Sequence, residues 1–316
     1  MTISETLTAY PTSRLKGMVG FAKASGTSGG WSGKVKLINN LQELIQNAKD
    51  NQPMVLVINS NITATTKTKV NLGSNKSIIG SFGSRTLHNI HLRATKTSSN
   101  IIFQNLIFSH SAGIKGNDDI QLYLNYGSKY WIDHCSFIGH KWSKNDGSLD
   151  KLIYIGDSAD FATISNCYFG NHKYGLILGH PEDDNNKAFE GHPHLTICHN
   201  HYENMEVRAP GLMRYGYFHV YNNYIDKFHL GFTLASNAKI FSEKNYFENG
   251  NAELDDKGNG LFTDIGSLQS IRKPKSPKNK WTPGSSYNYK AMTAAEAKAF
   301  ATANVGSKSS ELVFGS

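Results

Sequence analysis

Ile164–Phe169, reading ISNCYF, is one of six segments in this chain with a common short pattern. The others are FQNLIF (103–108), IDHCSF (132–137), ICHNHY (197–202), VYNNYI (220–225) and SEKNYF (242–247). Each ends in an aromatic or large apolar residue, and successive ends lie 29, 32, 33, 23 and 22 residues apart. Intervals of this length suit a solenoid whose coils each carry a few short strands, with insertions lengthening some coils. Two places before each end stands a column reading Leu106, Cys135, Cys167, Asn200, Asn223, Asn245. Parallel strands stacked about 4.8 Å apart produce such columns, and asparagine amides stacked this way hydrogen-bond along the axis. Cys135 and Cys167 read as two small buried rungs, with free thiols preferred over a disulfide between them, and Cys198 has a packing role.

An all-β sandwich is the competing architecture. It would show turn signals every 8–12 residues and hairpin dipeptides between strands, whereas the recurrence here is longer and preserves register. The expectation is therefore an all-β fold, a right-handed parallel β-helix forming a single domain over residues 1–316. NNLQELIQNAKDNQP has leucine and isoleucine at helical spacing and stops before Pro53; it would cap the open end of the solenoid. TAAEAKAFATANVG predicts a second helix packed outside, with Thr293 as its N-cap.

Apolar residues make up 39% of the 316, ample for a core, and no apolar run approaches the ~18 residues of a membrane span. The first residues lack the basic start and apolar stretch of a signal peptide. The net charge of +8 suits a polyanionic partner. The basic residues are not bunched into one helix or tail, which argues against nucleic acid. Three cysteines without a CxxC pair suggest neither a disulfide framework nor zinc.

Four motifs occur in a fixed order: WIDHCSF (131–137), DGSLD (146–150), RAP (208–210), then R-x-G-x-x-H-x-x-N-N from Arg214 to Asn223. With GFAKASGTSGGWSGKVKLINNLQELIQNA upstream, the chain resembles the parallel β-helix polysaccharide lyases that include pectate and pectin lyases. The resemblance covers most of the chain. It implies a secreted, monomeric enzyme acting on an acidic polysaccharide, with neither nucleic acid nor membrane as partner. The reaction would be calcium-dependent β-elimination of α-1,4-linked polygalacturonate, giving 4,5-unsaturated oligogalacturonides.

The resemblance assigns Ca2+ to Asp146 and Asp150, with Asp119 and then Asp118 from the preceding coil. Calcium takes 6–8 oxygen ligands, so a few carboxylates leave room for substrate. An Asp-Gly pair is equally at home in an ordinary turn. Lys173 takes the place of a substrate-binding lysine. Arg208 takes that of the general base, and Arg214 that of the arginine that grips substrate and supports it. A guanidinium is ordinarily protonated, so neighbouring cations would have to lower its pKa. Asp133 and His134 are adjacent in a strand, so they are expected on opposite faces, unable to pair, and structural. Glu182–Asp184 reads as a solvated turn.

Three other functions fit parts of the pattern. A pectin lyase would act on methyl-esterified chains without calcium. A hydrolase would need an acid and a base of the kind Asp118 and Asp119 could imitate. A non-catalytic polysaccharide-binding solenoid, such as an adhesin or phage tail component, would need no chemistry at all.

Overall fold

The computed structural model describes residues 12–81, 83–114, 120–142, 150–181 and 187–315. One coil shows the path. The strand Ser128–Asp133 bends into Ser136–Ile138, the chain continues to Ile153–Ile155, and Asp160–Ser165 then lies parallel beside Ser128–Asp133. Repetition gives a parallel β-helix with a ten-stranded sheet and a fourteen-stranded sheet. The larger sheet divides at the long strand Arg85–Ala94, which pairs with Leu106–Ser109 at its start and Leu122–Leu124 towards its end. The face continuing from Leu106–Ser109 holds the aromatic segment ends. The face continuing from Leu122–Leu124 carries the groove described below.

The segment ends read from the sequence are register partners: Phe108, Phe137, Phe169, Tyr202, Ile225 and Phe247 pair in turn. Their side chains point inward, and the first four rings stack at 4.6, 5.1 and 4.9 Å. The ladder column also forms. The Asn200 amide donates to Asn223 Oδ1 at 2.9 Å, and the Asn223 amide to Asn245 Oδ1 at 3.0 Å. The backbone N–H of Cys167 donates to Asn200 Oδ1 at 2.9 Å, and that of Cys135 to Cys167 Sγ at 3.4 Å. All three cysteines are free and buried.

The residue before each ladder position is left-handed: Asn105, His134, Asn166, His199, Asn222 and Lys244 have φ between 45° and 58°. This bend turns the chain from one sheet to the next, and asparagine tolerates it best among residues with a side chain. It also overturns the expectation for Asp133 and His134. Strand alternation ends at Asp133, and the positive φ of His134 swings its ring back, so Nδ1 lies 2.8 Å from Asp133 Oδ2. The pair is buried and structural: Asp133 also accepts from Gln104, Ser165 and Asn166, while His134 Nε2 meets the Val313 carbonyl at 3.0 Å.

Both expected helices are present. Leu41–Ala48 is capped by Asn40, which accepts from the Glu43 N–H, and it buries Leu44 and Ala48 against the solenoid interior. Ala294–Asn304 carries a full capping box from Thr293 and Glu296. It packs outside, with Ala301 and Val305 against Tyr224. No described helix is long and apolar enough to cross a membrane.

Candidate active site

On the groove face the strands Leu122–Leu124, Ile153–Ile155 and Leu176–Leu178 are three residues long, and alternation sends the middle residue outward. Leu122, Leu124, Ile153 and Ile155 are buried inside, while Tyr123 and Tyr154 are register partners on the outer side. The column continues through Ile177, Gly211, Thr233 and Asp255, and begins with Arg93. The Tyr123 and Tyr154 rings stack at 4.7 Å, and the Arg93 guanidinium lies 4.7 Å over Tyr123. Ile120, Tyr154, Ile177 and Met213 form an apolar cluster separate from the interior, joined by Tyr123 and Ala235. Above it opens a cavity of about 300 Å³, also reached by Lys151, Asp157 and His180. Asp157 Oδ1 accepts from the Tyr154 hydroxyl at 2.6 Å and lies 2.7 Å from His180 Nδ1. Burial, and then that carboxylate, push the Tyr154 phenol well above its usual range.

Arg208 reaches this column one coil further on. Its backbone is left-handed, with φ 63°, and its carbonyl accepts from Leu176 N–H at 2.9 Å. A Cβ on Gly175 would stand 2.2 Å from that carbonyl oxygen, so only glycine admits the approach. A Cβ on Gly211 would stand 3.2 Å from Arg208 Cγ, which places the arginine side chain across the outer face at the missing position in the column. Its guanidinium carbon lies 5.1 Å from the centre of the Tyr174 ring. Burial lowers the Arg208 pKa below the ordinary arginine value, while Tyr174, Asp150 and Asp255 pull it upward.

The other predicted residues are distributed as follows. Lys173 is nearly buried; its Nζ lies 5.6 Å from the Tyr174 ring centre and 3.8 Å from Glu206 Oε2. Arg214 stands at the far end of the short strand Gly211–Leu212 from Arg208 and is only 1% exposed. Asp150 is buried, its backbone carbonyl contacts His172 Nε2, and its Oδ1 is held by the Lys151 ammonium. Asp118, Asp119, Asp146 and Glu182–Asp184 lie outside the described residues. Lys151, Tyr174 and the Tyr123–Tyr154 pair were not anticipated from sequence. The signal for Tyr123 and Tyr154 is alternation in strands of three residues, too short to establish a period.

Of the four carboxylates that the resemblance assigns to calcium, only Asp150 lies within the described residues. Among them no three metal-ligating side chains converge. Asp150, the one predicted ligand within them, already has an ammonium on one oxygen. A divalent cation would have to compete with Lys151 for that carboxylate.

The sequence matches the family profile described as pectate lyase over residues 5–310. The chain belongs to the pectate lyase family. It is a polysaccharide lyase of that family, and its curated relatives refine the placement. It is 65% identical to a pectin lyase of Pseudomonas marginalis, covering 98% of this chain and 100% of the relative. It is 57% identical to a pectin lyase of Pectobacterium carotovorum over 97% and 99%, and 49% to one of Bacillus subtilis over 97% and 92%. Among solved structures, a pectate lyase from Bacillus sp. N165 in complex with trigalacturonate aligns with TM-score 0.79. That alignment covers 92% of this chain and 98% of the other at 24% identity, a likeness of fold.

Proposed function

We propose that this member of the pectate lyase family is a pectin lyase, cleaving methyl-esterified homogalacturonan by β-elimination without a calcium requirement. The observation that carries the reading is the groove floor: Tyr123, Tyr154, Ile177 and Met213 form an apolar strip beside Arg208. Such a floor suits ester methyl groups better than a row of carboxylates. The engagement of Asp150 by Lys151 supports it, as do the three relatives named pectin lyase.

In this reading the neutral guanidine of Arg208 takes the C5 proton. The electron pair forms the C4–C5 double bond, the C4–O4 bond breaks, and the departing oxygen collects a proton. A C5–H beside an ester is more acidic than one beside a carboxylate, because no second negative charge builds on the acid group. The positive charge of Lys173 stabilises the developing enolate. Burial of Arg208 favours the unprotonated base. A polymer does not cross a cell membrane intact, so the reading places the reaction outside the cell.

A second reading, calcium-dependent cleavage of polygalacturonate, is favoured by one observation: Asp150 Oδ2 is buried without a hydrogen-bond partner among the described residues. One assay separates the two. The ultraviolet absorbance of unsaturated uronides is followed on highly methylated pectin and on polygalacturonate, each with calcium and with chelator. Faster product formation on esterified pectin, unchanged by chelator, is expected. Activity on polygalacturonate that disappears with chelator would select the second reading.

A further inference from the structure

Lys173 lies in the strand Tyr168–Tyr174 and Arg208 follows the strand His201–Val207, yet both approach the ring of Tyr174. The register pairs Tyr174 with Val207, the residue before Arg208, and Gly175 N–H donates to the Val207 carbonyl at 3.0 Å. The backbone thus holds Tyr174 and Arg208 side by side. Their side chains meet again, the guanidinium carbon 5.1 Å and the Lys173 ammonium 5.6 Å from the ring centre. Both distances are within the ~6 Å reach of a cation–π contact. Beyond the ring, the arginine side chain passes the bare backbone of Gly211, where a Cβ would stand 3.2 Å from its Cγ.

We propose that Tyr174 is a positioning residue: its ring is the platform that aims the Arg208 guanidinium across the groove and keeps Lys173 beside it. The work belongs to the ring face, since attraction between a cation and an aromatic quadrupole needs no hydroxyl. This inference rests on Arg208 being the base, so the test separates the two. Arg208→Ala, Tyr174→Phe and Tyr174→Leu are compared with the unaltered chain on methylated pectin, measuring kcat, KM and thermal midpoint.

Arg208→Ala is expected to be inactive. Tyr174→Leu is expected to lose about tenfold in kcat, the size of a ~1–2 kcal/mol cation–π contact, with KM within about twofold. Tyr174→Phe, which keeps the ring and fills the same space, is expected to retain most of the activity. If Arg208→Ala stays active, the base assignment fails whatever Tyr174 does. If Arg208→Ala is inactive but Tyr174→Leu turns over normally, the platform alone fails. It also fails if Tyr174→Phe falls as far as Tyr174→Leu, or if Tyr174→Leu changes only KM. Should Tyr174→Leu unfold, Tyr174→Phe and Tyr174→His carry the comparison: retained kcat in both supports an aromatic platform, and loss in both overturns it.

Discussion

Arg208 is held by what its neighbours lack. Gly175 and Gly211 clear space for its carbonyl and its side chain, and the left-handed φ of Arg208 itself turns the carbonyl towards Gly175. A methyl group at residue 175 would meet a backbone oxygen at 2.2 Å, and backbone yields less readily than a side-chain tip. Gly175→Ala should therefore displace Arg208 relative to the groove. A shift of about 1 Å at a reacting group costs on the order of 100-fold, so kcat should fall by roughly that factor. Overpacking of this kind costs about 1–3 kcal/mol of stability. Steady-state kinetics beside a denaturant melt would check both, and a variant with wild-type kcat would show that Arg208 is not positioned from Gly175. The same reasoning explains Arg214. It lies across the strand Gly211–Leu212 from Arg208, so sequence proximity did not reveal that one arginine reaches the groove while the other is buried.

Between coils, the asparagine ladder joins one element to the next. Asn223 donates to Asn245 Oδ1 and to the Ile197 carbonyl, and accepts from both the side chain and the backbone of Asn200. Asn223→Ala would leave several buried groups unsatisfied at about 1–3 kcal/mol each, so a loss of at least ~3 kcal/mol is expected in urea melts. Thr293→Ala, by contrast, removes an exposed capping box and should cost about 1 kcal/mol with activity unchanged. A smaller loss for Asn223→Ala than for Thr293→Ala would refute the ladder as a principal tie. The ladder and the ring stack were legible in the sequence because stacked coils must repeat like side chains at each register position. The groove was not. Several of its strands have only three residues, and contacts such as Tyr174 to Arg208 are set by coil pairing and backbone bends. The left-handed residue before each rung was visible only as asparagine at three of the six positions, and His134 among the others hid the Asp133 contact.

Across the whole solenoid, neutral histidines are buried at several levels. Burial drives His91, His110 and His199 down to about 4 from an ordinary 6.5, and it also lowers His201 and His219. Each is neutral in the fold and takes up a proton more readily when the chain unfolds. Their stabilisation is complete above pH 6.5 and is lost as the pH falls towards about 4, because the unfolded chain binds more protons in that window. A shift of this size is worth up to ~3 kcal/mol per histidine, so three together can remove a large part of a marginal stability. His199 shows the cause most plainly. Neither ring nitrogen has a hydrogen-bond partner among the described residues, and the ring lies between Tyr221 and Phe300 with Gly315 against it. Urea midpoints at pH 7.5, 6, 5 and 4.5 should therefore fall steadily with acidity. His199→Asn keeps a residue that tolerates the left-handed backbone at this bend, and its midpoint should fall less steeply over the same range. A variant whose midpoint follows the wild-type slope would exclude His199 from the acid sensitivity. The same direction of pH serves the proposed chemistry, in which Arg208 acts as a base only when unprotonated. Stability and turnover should rise together from pH 4.5 to 7.5, and a kcat optimum below pH 5 would contradict both the buried histidines and the arginine base.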